Sequence, residues 1–189
     1  MTQKVEKAIE SFKQFLKDFP CYYHEEEDLR VLLIIELKKV CGEIETPFVK
    51  LGLVHAEVGL FPGGSKHDIV VFDFDEHSAQ KVLEARKWIV SRERKYLPKE
   101  LRVSDIIEIK QYYNDNEKWP EKGIKERIEQ AIKQLEETAG KLEYQPDLYL
   151  VYVHRTFSEF EESVRQEITK YEKDLIPRNI KFRPIILAI

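Results

Sequence analysis

The run Asp68-Ile-Val-Val-Phe-Asp-Phe constrains this chain more than any other feature, because a short β-branched stretch bounded by turn residues reads as a buried strand. It follows the turn Pro62-Gly63-Gly64-Ser65 and is expected to be central in its sheet. Two further strands are equally legible: Ser104 to Lys110, carrying Ile106, Ile107 and Ile109, and Asp147 to His154. From Val49 to Phe61 the residues alternate, Val54, Ala56, Val58 and Leu60 on one side and His55 and Glu57 on the other. Between these lie helical patterns. Val5, Ile9, Phe12 and Leu16 predict a helix over residues 1–17, ended near Phe19-Pro20. A second helix is expected over 25–40, a third over 76–95 and a fourth over 121–139 with Ile124, Ile128, Ile132 and Leu135 on one face. A last helix carries Phe157, Phe160, Val164, Ile168 and Tyr171, and a terminal strand over 180–189 is expected to break at Pro184. This order predicts an α/β fold: a mixed central sheet of strands 50–60, 68–74, 104–110 and 147–154, with helices on both faces.

No Gly/Ser/Pro-rich stretch divides the 189 residues, so a single domain over 1–189 is expected. Apolar residues at 42% and charged residues at 35% suit a folded, soluble protein. No apolar run approaches the roughly 20 residues a membrane span needs, and the charged start Met1-Thr-Gln-Lys-Val-Glu-Lys is not a signal peptide, which points to the cytoplasm and away from membranes. Cys21 and Cys41 stand in no metal or disulfide motif. The net charge of −4 does not advertise a nucleic-acid binder. Residues 76–102, however, hold eight Lys/Arg against four Glu around Trp88, a pattern that a solvated amphipathic helix explains and that also fits a phosphate-contacting surface. The sequence leaves the oligomeric state open and allows a homodimer.

Walker, GxGxxG, HExxH, GxSxG and EF-hand patterns are absent. What remains is acid and lysine on neighbouring strands. In Glu108-Ile109-Lys110 the carboxylate and the ammonium project from one face while Ile107 and Ile109 project from the other. Asp68 can join Glu108 as a carboxylate pair if their strands are neighbours, and such oxygens suit Mg²⁺. Glu36 lies on the stripe of Leu29, Leu32, Leu33 and Val40, where an unpaired carboxylate is unfavourable and calls for a cation. Other readings stay open: Asp68 as a loop cap, Glu108 and Lys110 as a sheet-edge charge pair, Glu36 as a helix-margin residue in solvent.

This arrangement resembles the PD-(D/E)XK, or restriction-endonuclease-like, nuclease superfamily. The resemblance spans residues 25–154, whose element order matches an αβββαβ core in three layers, with an added N-terminal helix and a C-terminal helix and strand. In that family an acidic residue opens the second strand and a (D/E)XK tripeptide lies on the third; here these positions read His67-Asp68-Ile-Val-Val and Glu108-Ile109-Lys110. Glu36 matches a glutamate on the helix before the first strand. His67 stands where the family has proline, and the distance from Asp68 to Glu108 requires the 76–95 helix to be an insertion. The resemblance implies metal-dependent hydrolysis of phosphodiester bonds in nucleic acid, DNA ahead of RNA. Asp68, Glu108, the Ile109 carbonyl and Glu36 would hold Mg²⁺ or Mn²⁺, and Lys110 would orient or help deprotonate the attacking water. The principal rival is a nucleic-acid-binding or assembly module that keeps the fold without catalysis, and a second is an enzyme acting on a small phosphorylated substrate.

Overall fold

The computed structural model describes residues 1–20, 25–45, 50–61, 65–73, 102–112, 121–142, 145–154, 158–175 and 181–188. Helix α1 (Thr2–Asp18) buries Val5, Ala8, Ile9, Phe12 and Leu16, and α2 (Glu26–Cys41) buries Leu29, Leu33, Leu37 and Cys41 at four-residue intervals. The acidic first turn of α2, Glu26 to Asp28, complements the helix dipole, and the Glu25 amide donates to Asp28 Oδ2 at 3.1 Å to start it. Strands β1 (Glu43–Glu45) and β2 (Lys50–Gly52) form a small antiparallel ribbon.

The main sheet contains β3 (Val54–Gly59), β4 (Lys66–Phe72), β5 (Val103–Tyr112), β6 (Asp147–His154) and β7 (Phe182–Ala188), in that spatial order. The first three strands are antiparallel, whereas β5, β6 and β7 are parallel. Parallel neighbours need a crossover, and helices α3 (Glu121–Ala139) and α4 (Ser158–Leu175) lie in those two connections. Alternation then sorts the side chains into two faces. Ile69, Val71, Ile107, Ile109, Tyr149 and Val151 pack with α1 and α2; Val70, Ile106, Leu148, Leu150 and Tyr152 pack with residues of α3 and α4. Every residue of β6 is buried, as a strand covered on both faces must be. Ile107, wholly buried in the first of these layers, shows the scale: truncation to alanine should cost about 2–5 kcal/mol.

The α/β class and mixed sheet agree with the reading of the sequence; two details differ. The 49–61 stretch is interrupted at Leu53, so that its first part pairs with β1 and only its second part joins the main sheet. The C-terminal strand runs through Pro184 without a break, with Pro184 opposite Leu150, because β7 is an edge strand where a missing N–H can face outward. The expected 76–95 helix, Trp88 and the basic stretch up to Leu101 lie outside the described residues. Among the described residues no helix is long and apolar enough to cross a membrane.

One irregularity of the sheet positions everything that follows. β4 pairs with β3 down to Lys66, but with β5 only as far as Ile69 opposite Ile107. β5 stays paired with β6 through Tyr112. Beyond Ile69 and Ile107 the two strands therefore part, and the sheet opens into a fork.

Candidate active site

A fork between strands leaves backbone N–H groups without a ladder partner, and these must be satisfied some other way. Here carboxylates do it. The Ile109 amide donates to Asp68 Oδ2 at 2.8 Å, and the Gln111 amide to Glu26 Oε2 at 3.4 Å. Asp68 is further held by Arg30 of α2, whose Nη1 lies 3.3 Å from Oδ1 and also pairs with Glu57, while its Nη2 pairs with Glu27. Glu57, on β3 beside this point, has a left-handed backbone with φ of 51°, an uncommon geometry for a side chain larger than glycine.

Lys110 stands in the middle. Its Nζ lies 3.2 Å from Glu26 Oε1, 3.6 Å from Asp68 Oδ2 and 3.9 Å from Glu108 Oε2, and it donates to the Ile109 carbonyl at 2.8 Å. Burial works against its charge, but Asp68, Glu26 and Glu108 together outweigh that and raise its pKa. Lys110 is thus an ammonium at neutral pH. In that state it can orient water and offset negative charge beside it.

Glu108 is nearly sealed, with 4% of its side chain exposed. Burial raises its pKa, an effect that the His67 hydrogen bond opposes and the neighbouring Asp68 charge reinforces. Its Oε1 lies 2.6 Å from His67 Nδ1 and accepts from Gln134 Nε2 at 3.0 Å. The other nitrogen of His67 lies 2.8 Å from Thr138 Oγ1. In the tautomer with its proton on Nδ1, His67 donates to the Glu108 carboxylate and accepts the threonine hydroxyl proton at Nε2.

The structure thus brings Asp68, Glu108, Ile109 and Lys110 together. It places Glu36 elsewhere: that carboxylate pairs with Lys39 on its own helix, ten residues and about 15 Å along the axis from Glu26. The helix acid at the fork is Glu26. Sequence reasoning missed it because Glu25-Glu26-Glu27-Asp28 reads as an ordinary acidic first turn. It also missed Arg30, Gln134 and Thr138, and noted His67 only as a replacement for proline.

Mg²⁺ favours one or two carboxylates plus waters and substrate oxygens. Asp68 Oδ2, Glu108 Oε2 and the Ile109 carbonyl suit it in kind, all being hard oxygens, and all three already lie within 4 Å of one positive nitrogen. Among the described residues no three His, Cys, Asp or Glu side chains are grouped to hold an ion by themselves. Comparison of the chain with protein-family models, curated proteins and solved structures gives no match to any of them.

A second polar cluster lies on the other face of β5. Asp105 is wholly buried, accepting a 2.6 Å hydrogen bond from Ser104 at Oδ2, while its Oδ1 has no partner. Burial pushes its pKa up to about 6; the Ser104 bond opposes this and Asp147, directly opposite on β6, adds to it. The hydroxyl of buried Tyr149 likewise has no partner, and its pKa is raised by burial and by Asp105.

Proposed function

We propose that this chain is a divalent-metal-dependent nuclease of the PD-(D/E)XK type, hydrolysing phosphodiester bonds in nucleic acid, with DNA ahead of RNA. The observation that carries this reading is the fork itself: β4, with Asp68 in its first half, and β5, with Glu108-Ile109-Lys110 in its second half, separate so that two carboxylates, one carbonyl and one ammonium converge. Element order from α2 to β6, omitting the β1–β2 ribbon, supports the αβββαβ assignment.

Bound Mg²⁺ or Mn²⁺ would polarise the scissile phosphate and stabilise the charge that develops on it. The chain's own groups do the rest. The Ile109 amide and Arg30 hold Asp68 oriented. Glu108 presents Oε2 toward the fork because its Oε1 is engaged by His67 and Gln134. Lys110, kept protonated by its acidic neighbours, orients the attacking water and offsets negative charge on the phosphate. Glu26 holds the ammonium from the α2 side.

A second reading is a non-catalytic nucleic-acid-binding or assembly module. The observation favouring it is that Arg30 and Lys110 already compensate these carboxylates without any metal. The two readings separate in one assay: cleavage of supercoiled, single-stranded and branched DNA and of RNA, with Mg²⁺ or Mn²⁺, by purified wild type, Lys110→Ala and Glu108→Ala. The nuclease reading requires metal-dependent cleavage by wild type and its loss in both variants. Equal cleavage by all three would place the activity elsewhere, and metal binding without any cleavage would favour the module.

A further inference from the structure

Strand geometry alone does not hold Glu108. Two donors converge on its Oε1, His67 Nδ1 at 2.6 Å and Gln134 Nε2 at 3.0 Å, while Oε2 faces Lys110. Each donor is anchored at a second point. His67, with 1% of its side chain exposed, meets Thr138 Oγ1 through Nε2, and Gln134 donates to the Lys66 carbonyl at 2.7 Å. An imidazole with both nitrogens engaged has one orientation. A carboxylate gripped twice at one oxygen then has one rotamer, with the other oxygen committed to the fork.

The alternation along β4 shows that this grip is built into the backbone. Ile69 and Val71 face α1 and α2, so strict alternation would send His67 the same way and Asp68 toward α3. Instead His67 meets Glu108 and two residues of α3, and Asp68 meets Arg30 of α2. The inversion falls where β4 leaves β5 and beside the left-handed Glu57. It serves both residues at once.

On the reading of the fork as a metal site, we infer that His67 is a positioning residue, and that with Gln134 and Thr138 it fixes Glu108 so that Oε2 is the oxygen offered to the cation. Partners that orient a metal-binding side chain commonly contribute 10–100-fold in affinity. Carboxylate, imidazole and hydroxyl in a row also form the connectivity of a nucleophilic triad. Thr138, however, is only 7% exposed and lies within α3, so its hydroxyl serves here as an anchor.

The test is a Mn²⁺ titration of wild type, His67→Leu, His67→Asn and Thr138→Val, following free Mn²⁺ by electron paramagnetic resonance, with cleavage rate and thermal melting measured on the same samples. His67→Leu should weaken Mn²⁺ binding by about 10–100-fold. His67→Asn, whose amide can replace Nδ1–H, should recover most of that loss. Thr138→Val should weaken binding by a smaller factor, and added Mn²⁺ should restore cleavage in it. Should His67→Leu fail to fold, Thr138→Val decides the matter, since it removes only the Thr138 anchor of His67. A folded His67→Leu, or in its place a folded Thr138→Val, that binds Mn²⁺ as wild type does would overturn the positioning role while leaving the nuclease reading intact. Loss of all cleavage in Thr138→Val at unchanged Mn²⁺ affinity would overturn it in favour of a nucleophilic threonine. A wild type that takes up no Mn²⁺ would remove the nuclease reading and this role together.

Discussion

Glu108 and Asp105 sit three residues apart on β5, both almost wholly buried, yet they face opposite layers and keep different company. Glu108 lies where the sheet opens, doubly hydrogen-bonded at one oxygen and beside an ammonium at the other. Asp105 lies where β4, β5 and β6 are paired on both sides, with one oxygen unsatisfied and a second carboxylate opposite. Burial raises the pKa of both. The lesson is that a buried carboxylate becomes a candidate ligand where geometry sets a positive charge beside it; otherwise it is a stability liability.

If that distinction is right, the largest effect should come from the fork's cation. Lys110→Ala should lower the metal-dependent cleavage rate by on the order of a hundredfold or more. Asp105→Asn, measured in parallel, should leave the rate close to wild type. Comparable losses in both would erase the contrast between the two regions.

Metal should stabilise the fold through the fork alone. At a hundredfold excess of Mn²⁺ over its Kd, linkage gives ~2.7 kcal/mol, read as a rise in melting temperature. Wild type and Asp105→Asn should both show the rise, and Asp68→Asn should lose it. A full rise in Asp68→Asn would remove Asp68 from the site.

Asp105 should announce itself through pH. Its folded pKa of about 6 lies above the ordinary 3.8, so between these values the folded state holds a proton that the unfolded chain has released. The stability tied to that proton is fully present below about pH 4 and is lost as pH rises through about 6. Asp105→Asn, which stays neutral, should therefore be more stable than wild type at pH 7 by roughly 1–3 kcal/mol, a gain that fades by pH 4. Denaturation curves across pH 4–7 check this; a pH-independent difference would mean that Asp105 keeps an ordinary pKa.

Smaller effects separate the helix acids. Glu26→Gln, which removes one half-exposed charge from Lys110, should reduce cleavage by about fivefold, matching a pair worth ~1 kcal/mol. Glu36→Gln should leave cleavage unchanged. The reverse ranking would restore Glu36 to the site.

The sheet could be read in advance because its strands carry apolar runs that period and turn residues delimit, as Asp147 to His154 shows by matching β6 at both ends. The tripeptide was legible for the same reason, since alternation places Glu108 and Lys110 together. The fork was not legible. Where a strand leaves its neighbour depends on register, and nothing local in Lys66-His67-Asp68 marks the point at which β4 turns from β5. Glu26 was hidden for a related reason: its partner Gln111 is 85 positions away, and only the packing of α2 over the sheet brings them together. Glu36 looked anomalous on an apolar stripe, but Lys39 three residues on supplies its counter-ion within the helix.

On the proposed function, Asp68 and Glu108 share one divalent cation at the fork. A crystal of the protein soaked in Mn²⁺, with anomalous diffraction recorded at the manganese edge, tests it most directly. The expected result is a single strong peak in contact with Asp68 and Glu108, absent from crystals of Asp68→Asn. A peak confined to the Asp105 and Asp147 pair, or no peak at the fork under Mn²⁺ concentrations that support cleavage, would contradict it.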